Sequence, residues 1–339
     1  RQGALANAAE DFLRPMRERT GPFRYLQRFS VLEGRFQFID RLTGEIWAIP
    51  QSEIVTEFLR DAIETRLALG VDADGQRMQL LATILHDRRS RRIGGRVDFN
   101  RLEPSVIARA FPYLNQLADI RAPFSGNVNF EIAHGWQLLG LRLQLVSDFG
   151  QATFAMAYPS GSEMVQVSAR MNAIRLASLA RATPALSPLA GLDIPVSGVL
   201  EGVADPAGLF TLTKVDLTSG AGQVDLPGVF PQTMKIAGAR LSADIDATTS
   251  TAMVRDFSVD FGGTKVSTSG RVRRDDAGYT MAVDAKVAEV PMSDLAKYWP
   301  PGMGVSARQW VISNIVDGTV NEGMVSLALN MPVENDRAS

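Results

Sequence analysis

Few residues of the sequence have the types and spacing that catalysis or metal binding requires. The two histidines, His86 and His134, each lie in a turn-like segment, and neither has a second histidine or a cysteine at metal-ligand spacing. Asp72 and Asp74 in the stretch DADG resemble the start of a calcium loop, but the further acidic ligands of such a loop are missing. We therefore interpret the histidines as surface residues and DADG as a hairpin turn.

Other catalytic signatures are incomplete. Gly220 and Gly222 do not complete a dinucleotide-binding fingerprint, and the chain has neither a Walker-type lysine nor a Gly-x-Ser-x-Gly nucleophile elbow. A carbohydrate-active enzyme would need paired acidic residues in a cleft with aromatic platforms, and only 7% of the residues are aromatic. The sequence therefore predicts a protein that is not an enzyme, with no metal site and no cofactor.

Two clusters have both a binding and a structural interpretation. The arginine-rich run from Arg88 to Arg92 could contact phosphate headgroups, but a solvated turn is the simpler explanation. Trp299 and Trp310, near Pro300 and Pro301, could anchor the chain at a membrane interface, although we favour core packing under the last helix. Neither cluster decides the function by itself.

The composition is that of a globular chain and limits the classes of partner. Of 339 residues, 45% are hydrophobic and 21% are charged. The 35 lysines and arginines are balanced by 37 acidic residues, so the net charge of -2 gives no basis for nucleic-acid binding. The absence of cysteine excludes disulfides and cysteine zinc sites. No apolar run approaches the roughly 18 residues of a membrane span, and no signal peptide is recognisable.

One stretch of the chain occurs twice. Residues 107–126 read IARAFPYLNQLADIRAPFSG and residues 179–198 read LARATPALSPLAGLDIPVSG, with an offset of 72 residues. Each copy predicts a short amphipathic helix, then a proline that ends it, then a Ser-Gly that begins a strand. We interpret the pair as duplicated helix-plus-meander modules, the alternative being a chance likeness in a chain rich in alanine, leucine and proline.

Period-two alternation dominates the rest of the sequence. Turn signals every 8 to 12 residues or so separate about twenty strands, each apolar on one face, while residues 53–64 could form a helix or a strand. An open sheet seldom passes about ten strands without curling. We therefore expect an all-β fold with a few short helices, in which a long curved antiparallel sheet folds into an open, taco-like hydrophobic groove, or else closes as a dry sandwich.

The expected segments are an N-terminal helical segment (1–30), a β-hairpin module (31–101), a first repeat (102–172), a second repeat with an extended meander (173–290), and a terminal helix and strand (291–339).

The apolar positions of these strands are the candidate binding residues. They are the positions that alternate with polar residues and would share one face of the sheet. They comprise Phe36, Phe38, Val128, Phe130, Ile132, Leu139, Leu141, Leu143, Leu145, Phe154, Met156, Val165, Val167, Leu241, Ile245, Phe257, Val259, Phe261, Met281, Val283, Val287, Leu327 and Leu329.

The sequence resembles the AsmA-like, YhdP/TamB-type proteins of Gram-negative bacteria. The resemblance is carried by GRFQFIDRLTGEIWAIP at residues 34–50, by the two repeated stretches, and by KYWPPGMGVSARQWVISNIVDGTVNEGMVSL at residues 297–327. It implies a long curved sheet that forms a hydrophobic groove across the periplasm, is anchored in the inner membrane and moves phospholipid toward the outer membrane. Such proteins usually have an N-terminal membrane helix, which this sequence lacks, so we expect a middle fragment anchored through a segment absent here.

Three functions remain to be compared. The first is a non-catalytic, lipid-binding transport segment whose partners are phospholipid acyl chains, with the inner and outer membranes reached through parts not in this chain. The second is a structural or scaffolding β-protein with a closed core that binds protein partners. The third, the carbohydrate-active enzyme, has the least support from the composition.

Overall fold

The fold is described from a computed structural model of the chain. The structure describes residues 25–39, 46–73, 76–105, 108, 118–120, 122–135, 137–159, 162–205, 210–227, 230–275, 278–299, 301, 304–315 and 317–332. Most of the expected N-terminal helical segment (1–30) and most of the first repeat's helix lie outside these residues.

Sixteen strands in the described part of the chain form one antiparallel sheet, in which each strand pairs with the next sheet strand along the sequence. They are β1 (Arg28–Ile39), β2 (Ile46–Phe58), β3 (Ala62–Ala73), β4 (Gln76–Asp87), β5 (Ile93–Leu102), β6 (Phe124–Ile132), β7 (Leu138–Ser147), β8 (Gly150–Ala157), β9 (Val165–Arg175), β11 (Pro195–Ala204), β12 (Phe210–Ser219), β15 (Gly238–Asp246), β16 (Thr251–Asp260), β17 (Lys265–Asp275), β18 (Gly278–Pro291) and β19 (Thr319–Pro332).

Short elements between these strands complete the described fold. A second, three-stranded sheet consists of β10 (Leu192–Asp193), β13 (Gly222–Val224) and β14 (Met234–Ile236). The helices are α1 (Leu176–Ala182), α2 (Leu295–Tyr298) and α3 (Val305–Asn314), with 3₁₀ turns at Pro184–Leu189 and Met292–Asp294. The expectation of an all-β fold with a few short helices is confirmed, and the second sheet was not anticipated.

The chain divides into two compact units, Arg1–Leu145 and Val146–Ser339. In unit 1, the ambiguous residues 53–64 are strand, because β2 continues to Phe58 and β3 begins at Ala62. The DADG hairpin is confirmed by the pairing of β3 with β4, although its tip lies outside the described residues. His86 was wrongly assigned to a turn: it is part of β4 and pairs with Ile63 on β3.

The connections of unit 1 are of two kinds. In an antiparallel meander, connections alternate between the two ends of the strands, so those after β2, β4 and β6 share one end. These are the short connections at residues 59–61, 88–92 and 133–137, which we call the turn edge of unit 1. The long connection between β5 and β6 leaves from the opposite strand ends.

Unit 2 has the same division between short and long connections. β9, β12 and β18 run in the same direction because an even number of pairing steps separates them. The long connections at residues 176–194, 220–237 and 292–318 follow these three strands and therefore leave from one end of the sheet. α1 and the three-stranded sheet are built from the first two of these connections, and α2 and α3 from the third.

One side of unit 2 has a closed core. Ile194, Val196, Val224 and Ile236 are buried together, and half-buried side chains from the large sheet, among them Leu217, Ala239 and Val259, pack against them. Phe261 joins this cluster by edge contacts with the rings of Phe230 and Tyr298. The three-stranded sheet therefore covers the apolar face at the strand ends from which the long connections leave.

α3 differs from the expectation for the last helix. Trp310 was expected to pack in a core, but 61% of its surface is exposed, and none of the described residues of α3 is buried. The helix is held by Arg308, whose guanidinium donates to the backbone carbonyl oxygens of Trp299 and Ala296. Trp299 itself is half-buried.

Candidate functional site

The candidate site in unit 1 is the apolar face of its strands. Strand pairing places one aliphatic residue from each strand in a single row across the sheet, and one such row is Val31, Ile54, Leu67, Ala82, Val97 and Val128. Side chains paired directly across antiparallel strands lie on the same face. The alternation seen in the sequence therefore becomes a continuous apolar surface, at least six strands wide.

The predicted residues of β6 and β7 lie on this face. Val128, Phe130 and Ile132 pair with β5 residues of the same face. On the opposite face, the amide of Asn127 donates to the side-chain oxygen of Gln144. Because neighbouring residues of a strand point to opposite faces, this bond places Leu139, Leu141, Leu143 and Leu145 on the side of Val128. All four leucines are half-buried.

Unit 2 repeats this arrangement over more strands. A row of directly paired residues crosses nine strands and comprises Phe154, Ala169, Leu200, Val215, Ala243, Val254, Gly270, Val283 and Leu327. Parallel rows on the same face contain further predicted positions of this unit, namely Met156, Val165, Val167, Leu241, Ile245, Phe257, Val259, Met281 and Val287.

Four predicted positions need separate statements. Phe261 follows the end of β16 and belongs to the closed cluster, so it is not on the uncovered part of the face. Phe36 pairs with Ile49 and is 43% exposed. Phe38 and Leu329 lie in β1 and β19, but their side chains are outside what the structure describes.

Sequence reasoning missed several members of the rows because β-bulges interrupt the alternation. In β16, Ser242 faces Asp256 and Ala243 faces Val254, so Arg255 is an extra residue. The bulge moves Val254 to the apolar face and Met253 to the polar face, where strict alternation would have reversed them. No sequence signal gave the position of this bulge, although an arginine within an alternating apolar run was compatible with one.

The degree of burial distinguishes the apolar face from an ordinary core. Its side chains are mostly half-buried, and Phe257 remains 43% exposed. In unit 1, Val71 and Met78 form a buried cluster against which Ile49, Leu69, Leu80 and Leu102 pack, so the face is closed at that end of β3 and β4, whereas the leucines of β7 are half-buried. In unit 2, the buried cluster around Ile194 covers one part of the apolar face.

The opposite face of both units contains the ion pairs, together with exposed apolar side chains such as Leu81 and Met253. In unit 1, Arg96 pairs with Asp98 and Arg66 pairs with both Glu57 and Glu64. The hydrogen bond and charge of Arg96 lower the pKa of Asp98. Exposed pairs of this kind contribute little to stability because water screens them, so their main effect is on the solubility of this face.

The bulge arginine organises the polar face of unit 2. The Arg255 guanidinium lies 2.7 Å from a carboxylate oxygen of Asp244 and 2.9 Å from the hydroxyl of Ser242. The Ser242 hydroxyl donates to Asp216 at 2.6 Å. This bond, followed by the one from Lys214, lowers the pKa of Asp216. The network links β12, β15 and β16 on the side away from the apolar rows.

The structure provides little for catalysis. Among the described residues, no group of three or more His, Cys, Asp or Glu side chains could hold a metal ion. His134 is exposed in the turn between β6 and β7. A depression of about 830 Å³ in unit 2 is lined by residues of both charges, including Asp246, Arg271 and Arg273. It contains threonine and serine hydroxyls but no described histidine.

None of the helices in the described part of the chain is long and apolar enough to cross a membrane. Comparisons with protein-family models, with curated proteins and with solved structures found no match to this chain. The function is therefore argued from the geometry and chemistry of the apolar face.

Proposed function

We propose that the chain is a non-catalytic lipid-binding segment whose apolar sheet face holds phospholipid acyl chains. The observation that supports this proposal is the pair of apolar rows, six strands wide in unit 1 and nine in unit 2, in which most side chains are half-buried and only Val215 and Ala243 are buried. Exposed apolar patches of this extent are uncommon on soluble monomers, and they typically bind an apolar partner.

An acyl chain suits this surface in size and chemistry. The four leucines of β7 span seven residues, about 20 Å at roughly 3.3 Å per residue. One leaflet of a bilayer's hydrocarbon core is about 15 Å thick, half of the full core. Each buried CH₂ contributes about 0.8 kcal/mol without directional requirements, so no single polar constellation is needed.

The resemblance to AsmA-like proteins gives the proposal its biological setting. In that setting the sheet is curved into an open groove in the periplasm, and phospholipid moves along the groove between the inner and outer membranes. The chain contributes the apolar surface, and parts of the protein beyond this chain reach the membranes and anchor it.

We further propose that the sheet grew by duplication of a bulge-helix-strand module. Ser125 and Ser197, 72 residues apart, each accept a backbone N–H from a residue with left-handed φ, Arg101 and Ala173, which are also 72 residues apart. In the second copy a helix begins three residues later, at Leu176. Glu289, also left-handed, precedes the helical residue Met292 by the same interval.

A closed scaffolding protein is the second candidate, and one observation favours it. The cluster around Ile194 and Ile236 covers the apolar face of unit 2 near one end of its strands. If comparable cover extended over the rest of the face, the sheet would be dry and protein partners would be its ligands.

The two candidates differ in their response to a charge on the uncovered face. We expect Leu143→Asp to reduce co-purifying phospholipid strongly while the protein stays folded, because Leu143 is half-buried and lies outside the buried cluster of Val71 and Met78. Arg142→Asp is the matched control, since Arg142 is the exposed neighbour on the polar face. Bound lipid is measured by native mass spectrometry and folding by circular dichroism.

Two results would reject the transport proposal in favour of the scaffold. One is an unchanged chain that carries no lipid after expression in a lipid-rich host. The other is unfolding of Leu143→Asp with a folded Arg142→Asp, since this would indicate a closed core around Leu143. Val259 is unsuitable for the same test because it packs against the closed cluster.

A further inference from the structure

We propose that the turn edge of unit 1 binds the phosphate of a lipid headgroup whose acyl chains lie on the adjacent apolar face. This inference rests on the proposed function and extends it to a named ligand chemistry, the phosphate monoanion of a glycerophospholipid. The three connections of the turn edge, residues 59–61, 88–92 and 133–137, bring together strand ends that are far apart in the sequence.

The turn edge has an excess of positive charge. Its turns contain Arg60, Arg88, Arg89, Arg91 and Arg92 and one carboxylate, Asp61. The adjoining strand ends add Asp87 and a row that contains Arg28, Glu57, Glu64 and Glu131. Six arginines against five carboxylates leave one positive charge in excess, and all but one of the arginines lie in the turns. Arginine is the side chain best suited to phosphate because its planar guanidinium offers several donors in a fixed geometry.

The carboxylates of the edge are already engaged. Asp61 pairs with Arg89 at 2.8 Å, and Glu131 pairs with Arg92 at 2.8 Å. Asp87 accepts the backbone N–H groups of Arg89 and Ser90, and these bonds, the one from Ser90 first, lower its pKa. Each of these three carboxylates therefore already has a hydrogen-bond or ion-pair partner within the edge.

Arg60 and Arg91 are the turn arginines that a phosphate would contact. Both are exposed, and neither forms an ion pair with a residue in the described part of the chain. Arg91 has left-handed backbone geometry, with φ of 55°, within the five-residue turn between β4 and β5. The two arginines stand at adjacent connections, because β3 and β4 are paired and the connections before β3 and after β4 share one strand end.

The turn edge lies next to the apolar rows, and for this reason we assign the phosphate to a lipid. The last row before the turns consists of Ile63, His86, Ile93 and Ile132, which pair in turn across β3 to β6. The arginine-bearing turns begin within a few residues of this row. A phospholipid with its tails along the strands would therefore leave the apolar face where the arginines are.

The test compares two lipids with the same tails. Dipalmitoyl phosphatidylglycerol and dipalmitoylglycerol differ in the phosphoglycerol headgroup, whose only charge is on the phosphate. Binding of each is measured by native mass spectrometry for the unchanged chain and for the double variant Arg60→Glu/Arg91→Glu. We expect the double variant to bind phosphatidylglycerol about tenfold more weakly, and dipalmitoylglycerol equally well, because only the charged contacts are lost. Arg142→Glu, with one such charge reversal on the opposite face of β7, should bind both lipids as the unchanged chain does.

Each alternative outcome has a distinct meaning. Equal phosphatidylglycerol binding by the unchanged chain and the double variant would overturn the headgroup site and leave the acyl-chain proposal intact. Failure of the unchanged chain to bind either lipid would remove both proposals. Inorganic phosphate that binds the unchanged chain as tightly as phosphatidylglycerol would show a free-anion site and overturn the headgroup assignment.

If the double variant does not fold, the salt dependence of binding to the unchanged chain replaces it. Added sodium chloride should weaken the binding of phosphatidylglycerol and leave the binding of dipalmitoylglycerol unchanged. Equal effects on both lipids would overturn the site.

Discussion

At the scale of single residues, glycines set the distance between neighbouring strands where the chain enters β6 and β11. A Cβ added at Gly126 would overlap the backbone carbonyl oxygen of Gln144, and one added at Gly198 would overlap that of Asp216. Both glycines directly follow the serines that accept a bond from the bulged strand. The Ser-Gly pair therefore combines a hydrogen bond with a close backbone approach that only glycine permits.

This close approach predicts a specific loss of stability. We expect Gly126→Ala to lower the free energy of unfolding by about 1 to 3 kcal/mol, because the backbone of β7 must move to admit the methyl group. Gly94→Ala in β5 is the control, since the nearest atom to its added Cβ is a carbonyl oxygen at 4.0 Å. Urea denaturation followed by circular dichroism measures both. Equal stability of the two variants would show that β6 and β7 are not packed as closely as described.

At the scale of elements, the three-stranded sheet determines which part of the apolar face is closed in unit 2. β10, β13 and β14 have only two or three residues each, too few to be stable alone. They are held by burial of Ile194, Val224 and Ile236 against the large sheet. Covered and uncovered parts of one face should therefore respond differently to the same kind of truncation.

Truncation within this element should affect stability more than lipid binding. We expect Ile236→Ala to lower the free energy of unfolding by about 2 to 4 kcal/mol, because Ile236 is buried in the cluster and its removal leaves a cavity. Val254→Ala, on the half-buried row, should cost less stability and reduce bound phospholipid instead. Chemical denaturation and native mass spectrometry give the two readouts. Similar losses of stability for both variants would indicate that the row is closed like the cluster.

At the scale of the whole molecule, the described residues bury only part of their own apolar surface. Fully buried large side chains are few among them, Met78 and Val290 being the clearest. The two faces of the sheet differ in kind, since one has charged pairs such as Arg255 with Asp244 and the other has continuous aliphatic rows. A ligand that covers the apolar face would therefore stabilise the folded state by mass action.

Removal of lipid should reveal this contribution. We expect delipidated protein to unfold at a lower temperature and to bind more of a dye that reports exposed apolar surface, and added phospholipid to reverse both changes. Differential scanning calorimetry and dye fluorescence measure these effects, and the headgroup alone, glycerophosphate, is the control without tails. Identical melting temperatures with and without phospholipid would show that the face has no lipid to lose.

The sequence determined the secondary structure class and the composition of the two faces. Alternation in β6, β7 and β18 was enough to assign Val128, Leu143 and Val283 to one face, because the side-chain period of a strand is fixed at two. The sequence also predicted a helix in the second repeat, but its apolar spacing ran from Leu179 to Leu189, whereas α1 ends at Ala182 and a 3₁₀ turn follows at Pro184–Leu189. These are local properties, so local sequence contains them.

The tertiary structure decided what local patterns cannot contain. The bulge at Arg255 changes which residues share a face, and its position depends on pairing with both β15 and β17. The packing of Phe261 in a closed cluster and the exposure of Trp310 depend on elements distant in sequence. The gathering of Arg60 and Arg91 at one edge is also set by strand order. Pairing partners and layers are long-range relations, and for this reason only the folded chain determines where the apolar face is covered and where it remains available.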